Sequence, residues 1–390
     1  MFYQVGVKEQ DRDMLRFLWW PDGDIVKPLQ EYRMKVHLFG ATSSPACANF
    51  ALKQTAEDNK DQYDTEVIDT VHNNFYVDDC LKSIRTEEEA MKLTRDLRSL
   101  CERGGFRLTK WSTDSKLVMD TIPEEEKSEA VKNLDFDENM PSQKALGMLW
   151  KMETDQFGFE IDLKNKPWTR RGMLSTLCSL YDPLGFASPV ILPAKQMLQE
   201  LCRLKKGWDE EVPDVIKKRW SEWIASLPDL HRLTTERCWK PTGFENLKSV
   251  QVHHFADASA SGYGTASYLR LVNTNDEVEC NLILSKSRVA PIKEVSIPKM
   301  ELTAATVSVK VDSMLKRELE VPVDESVFWT DSETVLKYIR NDKARKYLQA
   351  SVCYKRHKHP PVVSVRLLRA SVCYDCVRAP FRCDYPSVAA

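Results

Sequence analysis

The residues of this chain best suited to chemistry are carboxylates, and the first pair is Asp78 and Asp79. They lie in residues 74–81, where apolar residues on both sides predict two short strands joined by a turn. Adjacent carboxylates at the tip of a hairpin can hold hard divalent cations close to the phosphates of a substrate. The alternative is that the two aspartates only form the turn between the strands.

A second set of carboxylates consists of Asp257, Glu301 and Asp331. Asp257 ends a predicted apolar strand, Glu301 opens a long predicted helix, and Asp331 follows the apolar run 327–330. In an α/β layer, carboxylates at strand ends and on an adjacent helix can converge on one site and bind metal ions. Taken singly, each acid is also explained as a solvated cap.

The elements that must position these carboxylates change character along the chain. Residues 1–120 combine short apolar strands with one helix, which follows a capping box at Thr86 and ends at Gly104. Residues 121–245 are predicted to be an acidic linker followed by a Trp-rich, mainly helical region. From 246 to 346 the pattern predicts an α/β layer with one mixed sheet. Its elements are three strands (250–256, 264–272, 278–285), a helix (298–319), a strand (326–330) and a helix (332–340).

The last segment, residues 347–390, breaks this pattern because it is basic and rich in cysteine. The pentapeptide Ala-Ser-Val-Cys-Tyr occurs twice in it, which is too few copies for a repeat fold. A shifted reading frame or a mis-joined exon explains the change better. The segment has thiols and imidazoles that could bind zinc, with chance clustering as the favoured interpretation. These residues are Cys353, His357, His359, Cys373, Cys376 and Cys383.

Composition narrows the class of protein. The 390 residues suffice for several domains, and hydrophobic and charged fractions of 42% and 29% are typical of a folded globular chain. No apolar run has the length of a membrane span, and the N-terminus lacks a secretory signal. The 11 cysteines favour a reducing compartment, so we expect the cytoplasm, with the nucleus as the alternative. A net charge of −2 means that any nucleic acid must be bound by local basic surface.

The surroundings of Asp78 and Asp79 resemble the reverse transcriptases of BEL/Pao LTR retrotransposons. Tyr76-Val-Asp-Asp79 looks like the catalytic hairpin, and further segments match other family motifs in the expected order. These segments are 2–7 with 15–19, 39–45, 104–111 and 146–150. The resemblance implies a multidomain α/β and α+β protein with partial fingers and palm, a helical thumb and connection, and an RNase H-like domain. Asp78 and Asp79 would then ligate Mg²⁺ or Mn²⁺ during nucleotidyl transfer.

The same resemblance implies a nucleotide site and a set of partners. Phe2 would be the aromatic gate that excludes a ribose 2′-hydroxyl. Phe39 and Gly40 would lie beneath the incoming nucleotide, although retroviral relatives carry a glutamine where Phe39 stands, and Lys110 belongs to a later palm motif. The expected partners are an RNA template, a DNA primer and an RNA–DNA hybrid. The expected process is transposition. No membrane is implied, and no oligomeric state is indicated.

The second carboxylate set resembles the site of the RNase H domain that follows these reverse transcriptases. The matching motifs are 255–264, 297–302 and 329–332. Such sites use two Mg²⁺ ions to activate water against the RNA strand of a hybrid, and Asp257 would bridge them. Arg170 and Arg171, in a stretch resembling the thumb and connection, would contact template phosphates unless they are solvated surface arginines. The chain has neither Asp-Thr-Gly nor Asp-Ser-Gly, the motifs of aspartic proteases, so the sequence predicts no peptidase chemistry.

Two acids of the family pattern are missing from their expected places. The first palm aspartate would fall just before Met1, and the fourth RNase H acid would fall in the tail, where Asp375 and Asp384 lack the expected context. We therefore expect impaired polymerase activity and weak hybrid cleavage. The rival hypothesis is a domesticated, non-catalytic nucleic-acid-binding or interaction protein. A third is a conceptual fragment that never accumulates.

Overall fold

The computed structural model describes residues 1–128, 142–145, 148–241, 243–244, 246–340 and 362–367, with the side chains of 143–145, 340 and 362–367 left aside. The chain divides into two compact units, Met1–Gly158 and Phe159–Ala390. The predicted linker lies partly outside the described residues. The candidate zinc ligands from Cys353 to Cys383, together with Asp375 and Asp384, lie wholly outside them.

The first unit is organised around three helices, α1 (Ser44–Asn59), α2 (Thr65–Asn73) and α3 (Glu87–Arg103). Their apolar faces form one core, because the buried leucines of α3 recur at helical spacing. The hydroxyl of Thr86 accepts a hydrogen bond from the backbone N–H of Glu89, as the capping box predicts. Gly105, at φ +75°, then makes the left-handed turn that follows the helix.

Short elements complete the first unit. Strands β1 (Arg16–Trp19) and β2 (Gln30–Arg33) pair antiparallel, as do β3 (Phe75–Tyr76) and β4 (Asp79–Cys80). Helix α4 (Lys116–Asp120) follows α3, and an antiparallel ladder of β5 (Ser142–Ala145), β6 (Met148–Lys151) and β7 (Gln156–Gly158) ends the unit. Single turns of 3-10 helix lie at Phe2–Gln4, Glu9–Leu15, Pro21–Gly23, Lys60–Gln62 and Glu124–Glu126.

The second unit begins with a helical layer made of α5 (Arg170–Ser179), α6 (Ser188–Arg203) and α7 (Asp214–Ser226). A 3-10 turn at Leu227–Arg232 and the short strand β8 (Thr235–Glu236) follow. Leucine, isoleucine and tryptophan side chains from the three helices form one buried cluster. In the turn before α6, the carboxylate of Asp182 accepts a hydrogen bond of 2.9 Å from the N–H of Ala187.

A five-stranded mixed sheet forms the rest of the second unit. Its strands are β9 (Leu247–Ala258), β10 (Gly262–Asn273), β11 (Val278–Val289), β12 (Glu325–Thr330) and β13 (Val362–Leu367), in the order β11-β10-β9-β12-β13. Strand β10 is antiparallel to both of its neighbours, β9 and β11, and β9, β12 and β13 are parallel. Helix α8 (Ile297–Glu318) packs against β9 and β10, and α9 (Glu333–Arg340) follows β12.

Burial alternates along β10, because every second side chain faces the layer that α8 forms. Val252, Leu269 and Leu271 meet Val311 and Leu315 of α8 in this layer. The predicted order of strands and helices from residue 246 onward is confirmed, and so is the mixed α/β class. Among the described residues, no helix has the length and apolar character that a membrane span requires.

Candidate metal and nucleic-acid sites

Asp257 and Asp331 lie at the carboxyl ends of two neighbouring strands. Strands β9 and β12 are parallel, and Phe255 pairs with Trp329 in their register. Continuing that register by two residues brings Asp257 level with Asp331, on strands that run about 4.8 Å apart. Both aspartates are exposed, and Asp257 Oδ1 accepts a hydrogen bond of 2.7 Å from the N–H of Ala258. The sheet therefore brings two predicted ligands to one edge.

Glu301 lies near the start of α8 and is half-buried. Its neighbours Met300 and Ala304 are buried, so they fix the face that α8 turns toward the sheet. Nowhere in the described part of the chain do three His, Cys, Asp or Glu side chains gather closely enough to hold a metal ion. Carboxylate oxygens are the donors that Mg²⁺ prefers. The carboxylates of Asp257 and Asp331 are thus suitable ligands for Mg²⁺ on adjacent strands. Among the described residues, Glu301 does not lie close enough to them to complete a three-ligand site.

Asp78 and Asp79 lie at the tip of the predicted hairpin. Tyr76 pairs with Asp79, so Val77 and Asp78 form the two-residue turn, and both aspartates are exposed. Val77 has φ 55°, which is rare for a β-branched residue and costs roughly 1–3 kcal/mol. The predicted hairpin is confirmed, and its turn holds a strained residue beside the two carboxylates.

Two thiols lie beside this hairpin, in the first unit. Burial raises the pKa of the Cys80 thiol to about 12. Burial also raises the pKa of Cys101 to about 12, with a smaller contribution from Cys80. A thiol is nucleophilic only as thiolate, so neither cysteine is reactive near neutral pH. The candidate chemistry of the hairpin therefore rests on its carboxylates alone.

The residues predicted to contact a nucleotide are partly brought together. The rings of Phe2 and Phe39 lie 5.6 Å apart between centroids, at an interplanar angle of 54°. Phe39 is 80% exposed, and Gly40 follows it at φ +92°, a conformation that favours glycine. Ser44 is buried and donates a hydrogen bond of 2.7 Å to the carbonyl of Leu38. Lys110 is exposed, at φ 61°.

Arg170 and Arg171 are held by residues near Trp208. The guanidinium of Arg170 lies 4.1 Å from the centroid of the Trp208 ring. Arg171 donates two hydrogen bonds to the carboxylate of Asp209, at 2.8 and 3.0 Å. This pairing raises the pKa of Arg171 and lowers that of Asp209. Arg171 therefore forms an ion pair with the Asp209 carboxylate, whereas the guanidinium of Arg170 lies over the Trp208 ring.

The sequence analysis missed a buried polar network between the sheet and α8. His254 is fully buried, and its Nε2 lies 3.2 Å from Asp312 Oδ1. Since a carboxylate only accepts, Nε2 donates to it, and Nδ1 lies within hydrogen-bond distance of the Ser267 hydroxyl, at 2.8 Å. Ser326 also donates to Asp312, whose other oxygen lies 3.1 Å from Lys316 Nζ. A histidine at a core position of an apolar strand was the signal available in the sequence.

The charge of Asp312 is set by two opposing effects. Burial raises the pKa of its carboxyl, but the hydrogen bonds from His254 and Ser326 and the ammonium of Lys316 together lower the pKa below the ordinary value of 3.8. Asp312 is therefore ionised at neutral pH. Because its partners come from β9, β12 and α8, the network joins the two layers.

Comparison with known proteins shows what these elements are similar to. Residues 169–332 match the model of the Pao retrotransposon-like RNaseH-like domain. The chain is similar in structure to the foamy viral protease-reverse transcriptase in complex with dsDNA, with a TM-score of 0.52, 13% sequence identity and 93% of this chain covered. A dRH form of that viral protein, also in complex with ds DNA, gives a TM-score of 0.52 at 14% identity, with 94% of this chain covered.

The match to those viral proteins has two limits. The chain spans 64% of the first viral chain and 54% of the second, and identity this low shows the fold alone. No curated protein sequence matches the chain. The family-model match over residues 169–332 and the similarity of fold to the foamy viral protein nevertheless agree with the resemblance to a BEL/Pao retroelement, which is confirmed.

Proposed function

We propose, on the premise that residues 169–332 belong to the Pao retrotransposon-like RNaseH-like domain family, that this chain acts on RNA–DNA hybrids as part of a retroelement reverse transcriptase. The observation that carries the proposal is the pair of carboxylates at one edge of the sheet. Asp257 and Asp331 lie at the ends of adjacent parallel strands, and both side chains are exposed. Both residues also lie within residues 169–332, which match the family model.

In this proposal the two aspartates bind Mg²⁺ or Mn²⁺, and Glu301 approaches from α8. When bound, such ions activate water and stabilise charge on the reacting phosphate. Asp257 is the central ligand, because it lies on the middle strand of the sheet between β10 and β12. The hydrogen bond from Ala258 to Asp257 Oδ1 leaves the second carboxylate oxygen available to a cation.

We also propose that the first unit binds a nucleotide as the palm of a polymerase does. Its support is the exposed Asp78–Asp79 tip and the contact between Phe2 and Phe39. In this role Gly40 allows close approach of a nucleotide, and Lys110 supplies a positive charge. Nucleotidyl transfer would need further metal ligands beside the two aspartates, so this part of the proposal predicts weak polymerase activity.

A second candidate function is nucleic-acid binding without catalysis. The observation that favours it is the lack of any three-ligand cluster among the described residues. In that case the fold would be retained while cleavage is lost. Binding would be salt-sensitive, because contacts to phosphates release counterions.

The two candidates are separated by a cleavage assay on an RNA–DNA hybrid with Mg²⁺ or Mn²⁺. We expect weak cleavage by the chain and none by Asp257→Asn, with manganese binding followed in parallel by calorimetry. Asp276→Asn is the matched control, because Asp276 is an exposed acid in the β10–β11 turn of the same sheet, where it ion-pairs with Lys248. Cleavage that survives Asp257→Asn contradicts the assignment. Salt-sensitive binding without cleavage or manganese binding supports the second candidate.

A further inference from the structure

We infer that Trp168 and Trp208, with the basic residues around them, form a binding surface for single-stranded nucleic acid. We call it the tryptophan surface, and its members are Trp168, Trp208, Arg170, Lys164, Lys166 and Lys205. The inference rests on the proposed function in one respect, since it assumes that the chain handles a polynucleotide. It concerns a surface in the helical layer of the second unit, separate from the carboxylates of the sheet.

The backbone around the two tryptophans is fixed by hydrogen bonds. The N–H of Val212 donates to the carbonyl of Trp168 at 3.0 Å, and the N–H of Arg171 donates to the carbonyl of Trp208 at 2.9 Å. A β-bridge between Thr169 and Glu211 lies between these two contacts. The segments that carry the two indoles are therefore held side by side rather than being free loops.

A glycine is needed for this arrangement. A Cβ on Gly172 would lie 2.0 Å from the carbonyl oxygen of Pro167, so only glycine lets the chain before Trp168 fold back on α5. The hydroxyl of Thr169 caps the same helix by accepting from the N–H of Gly172 at 3.1 Å. Both contacts hold Trp168 at the start of α5, next to Arg170.

The two indoles remain exposed although the helical layer has an apolar core nearby. Trp168 is 42% exposed and Trp208 is 45% exposed, whereas Trp220 and Trp223 of the same layer are 3% and 7% exposed. Exposed tryptophan is unfavourable in a folded chain unless something covers it. Indole faces stack on nucleic-acid bases without regard to sequence.

The charges around the tryptophan surface favour a polyanion. Three carboxylates follow Trp208, but each has a cationic partner: Asp209 with Arg171, Glu210 with Lys206, and Glu211 with Lys217. Within the described part of the chain, the members that have no carboxylate partner are Arg170, Lys164, Lys166 and Lys205. The surface therefore carries four cations that have no carboxylate partner, although the chain as a whole has a net charge of −2.

Arg170 connects the aromatic and basic parts of the surface. Its guanidinium lies over the Trp208 ring, and its Nη1 donates to the carbonyl of Lys206 at 3.2 Å. A guanidinium has five N–H donors, so others stay available for a phosphate. Stacking on the indole reduces the freedom of the side chain and orients those donors.

These features select a single strand rather than a duplex or a protein. In a duplex the base faces are stacked on one another and cannot meet an indole, whereas phosphates are present in both forms. A protein partner would cover the indoles but would not require a run of unpaired cations. The occupant we infer is a single strand whose bases stack on the tryptophans while its phosphates meet the cations.

The test is fluorescence anisotropy of the full chain with a labelled oligothymidylate of about 20 nucleotides, longer than a usual site. We expect Trp168→Ala with Trp208→Ala to weaken binding about fivefold or more, since each stacked base contributes. Trp19→Ala is the matched control, because Trp19 is 52% exposed in the first unit. An abasic oligonucleotide of equal length should bind wild type and the double variant equally, because it keeps the phosphates and lacks the bases.

Two further variants complete the design. Replacing Lys164, Lys166 and Lys205 by Ala should reduce the salt dependence of binding for both oligonucleotides. Unchanged affinity of the double tryptophan variant, with its melting curve intact, overturns the inference, as does loss of affinity that is equal on the abasic strand. Asp276→Asn, at an exposed acid of the sheet that has no part in either proposal, should bind oligothymidylate like wild type. Hybrid cleavage together with oligothymidylate binding that does not depend on the tryptophans refutes only this inference, and tryptophan-dependent binding without cleavage refutes only the proposed cleavage.

Discussion

The imidazole of His254 and the carboxylate of Asp312 meet in the interior of the second unit, with Nε2 3.2 Å from Oδ1, although 58 residues separate them in the chain. His254 lies on the middle strand β9 and Asp312 on α8. The contact joins the sheet to the helix that covers it. It is thus a structural link inside the domain whose edge carries Asp257 and Asp331.

We predict that Asp312→Leu destabilises the second unit by about 3 kcal/mol, because it leaves Lys316 and the polar groups of His254 and Ser326 buried without their acceptor. For a unit of this size the melting temperature should fall by about 6 to 12 °C. Thermal unfolding followed by circular dichroism measures this. Glu318→Leu, at an exposed position near the end of α8, is the control and should change little. Equal melting temperatures for wild type and Asp312→Leu would contradict the role of the network.

The same network predicts a pH dependence. The pKa of Asp312 is lowered in the folded chain from 3.8, so its ionised form stabilises the fold at pH values above 3.8. That stabilisation is lost as the pH falls through the folded pKa. The difference in melting temperature between wild type and Asp312→Asn should therefore be constant from pH 7 to pH 5 and shrink below about pH 4. If the difference in melting temperature stays constant down to pH 3, the charge of Asp312 does not stabilise the fold.

Gly185 offers a test of backbone geometry in the turn before α6. It has φ +80°, and a Cβ there would lie 1.9 Å from the carbonyl oxygen of Ser285 in β11. Gly185→Ala should lower stability by roughly 2 kcal/mol or more, through left-handed strain and the clash together. Gly243→Ala is a matched control, since Gly243 has the same φ of +80° and nothing within 4 Å of the added Cβ. Equal losses in the two variants would mean that the contact with Ser285 is not required.

The hairpin predicts little polymerase activity for the chain by itself. Asp78 and Asp79 are exposed, yet no third metal-ligating side chain gathers with them among the described residues. In a primer-extension assay with Mg²⁺ or Mn²⁺ we expect at most traces of product, abolished by Asp78→Asn. Asp69→Asn, on α2, serves as control. Robust synthesis by the wild-type chain would overturn this expectation.

The sequence by itself determined the local elements and the resemblance to BEL/Pao retroelements. The pattern from residue 246 onward predicted β9, β10, β11 and α8, and the capping box at Thr86 predicted α3. The predicted ends of the two helices lie within a few residues of the observed ends. The hairpin around Asp78 followed from two apolar strand ends and a polar turn. These features depend on residues that are neighbours in the chain, so their physical causes are present in any short window of the sequence.

Only the tertiary structure decided which distant residues meet. The parallel pairing of β9 with β12, which extends to Phe255 and Trp329, places Asp257 and Asp331 at the carboxyl ends of neighbouring strands, and the placement of α8 buries Asp312 beside His254. The contact of Arg170 with Trp208 depends on two segments that are distant in the chain. Backbone hydrogen bonds join these segments, from Val212 to Trp168 and from Arg171 to Trp208. Such contacts depend on strand pairing and on packing across the whole unit, where the free energy is shared among many residues, and no local pattern records that choice.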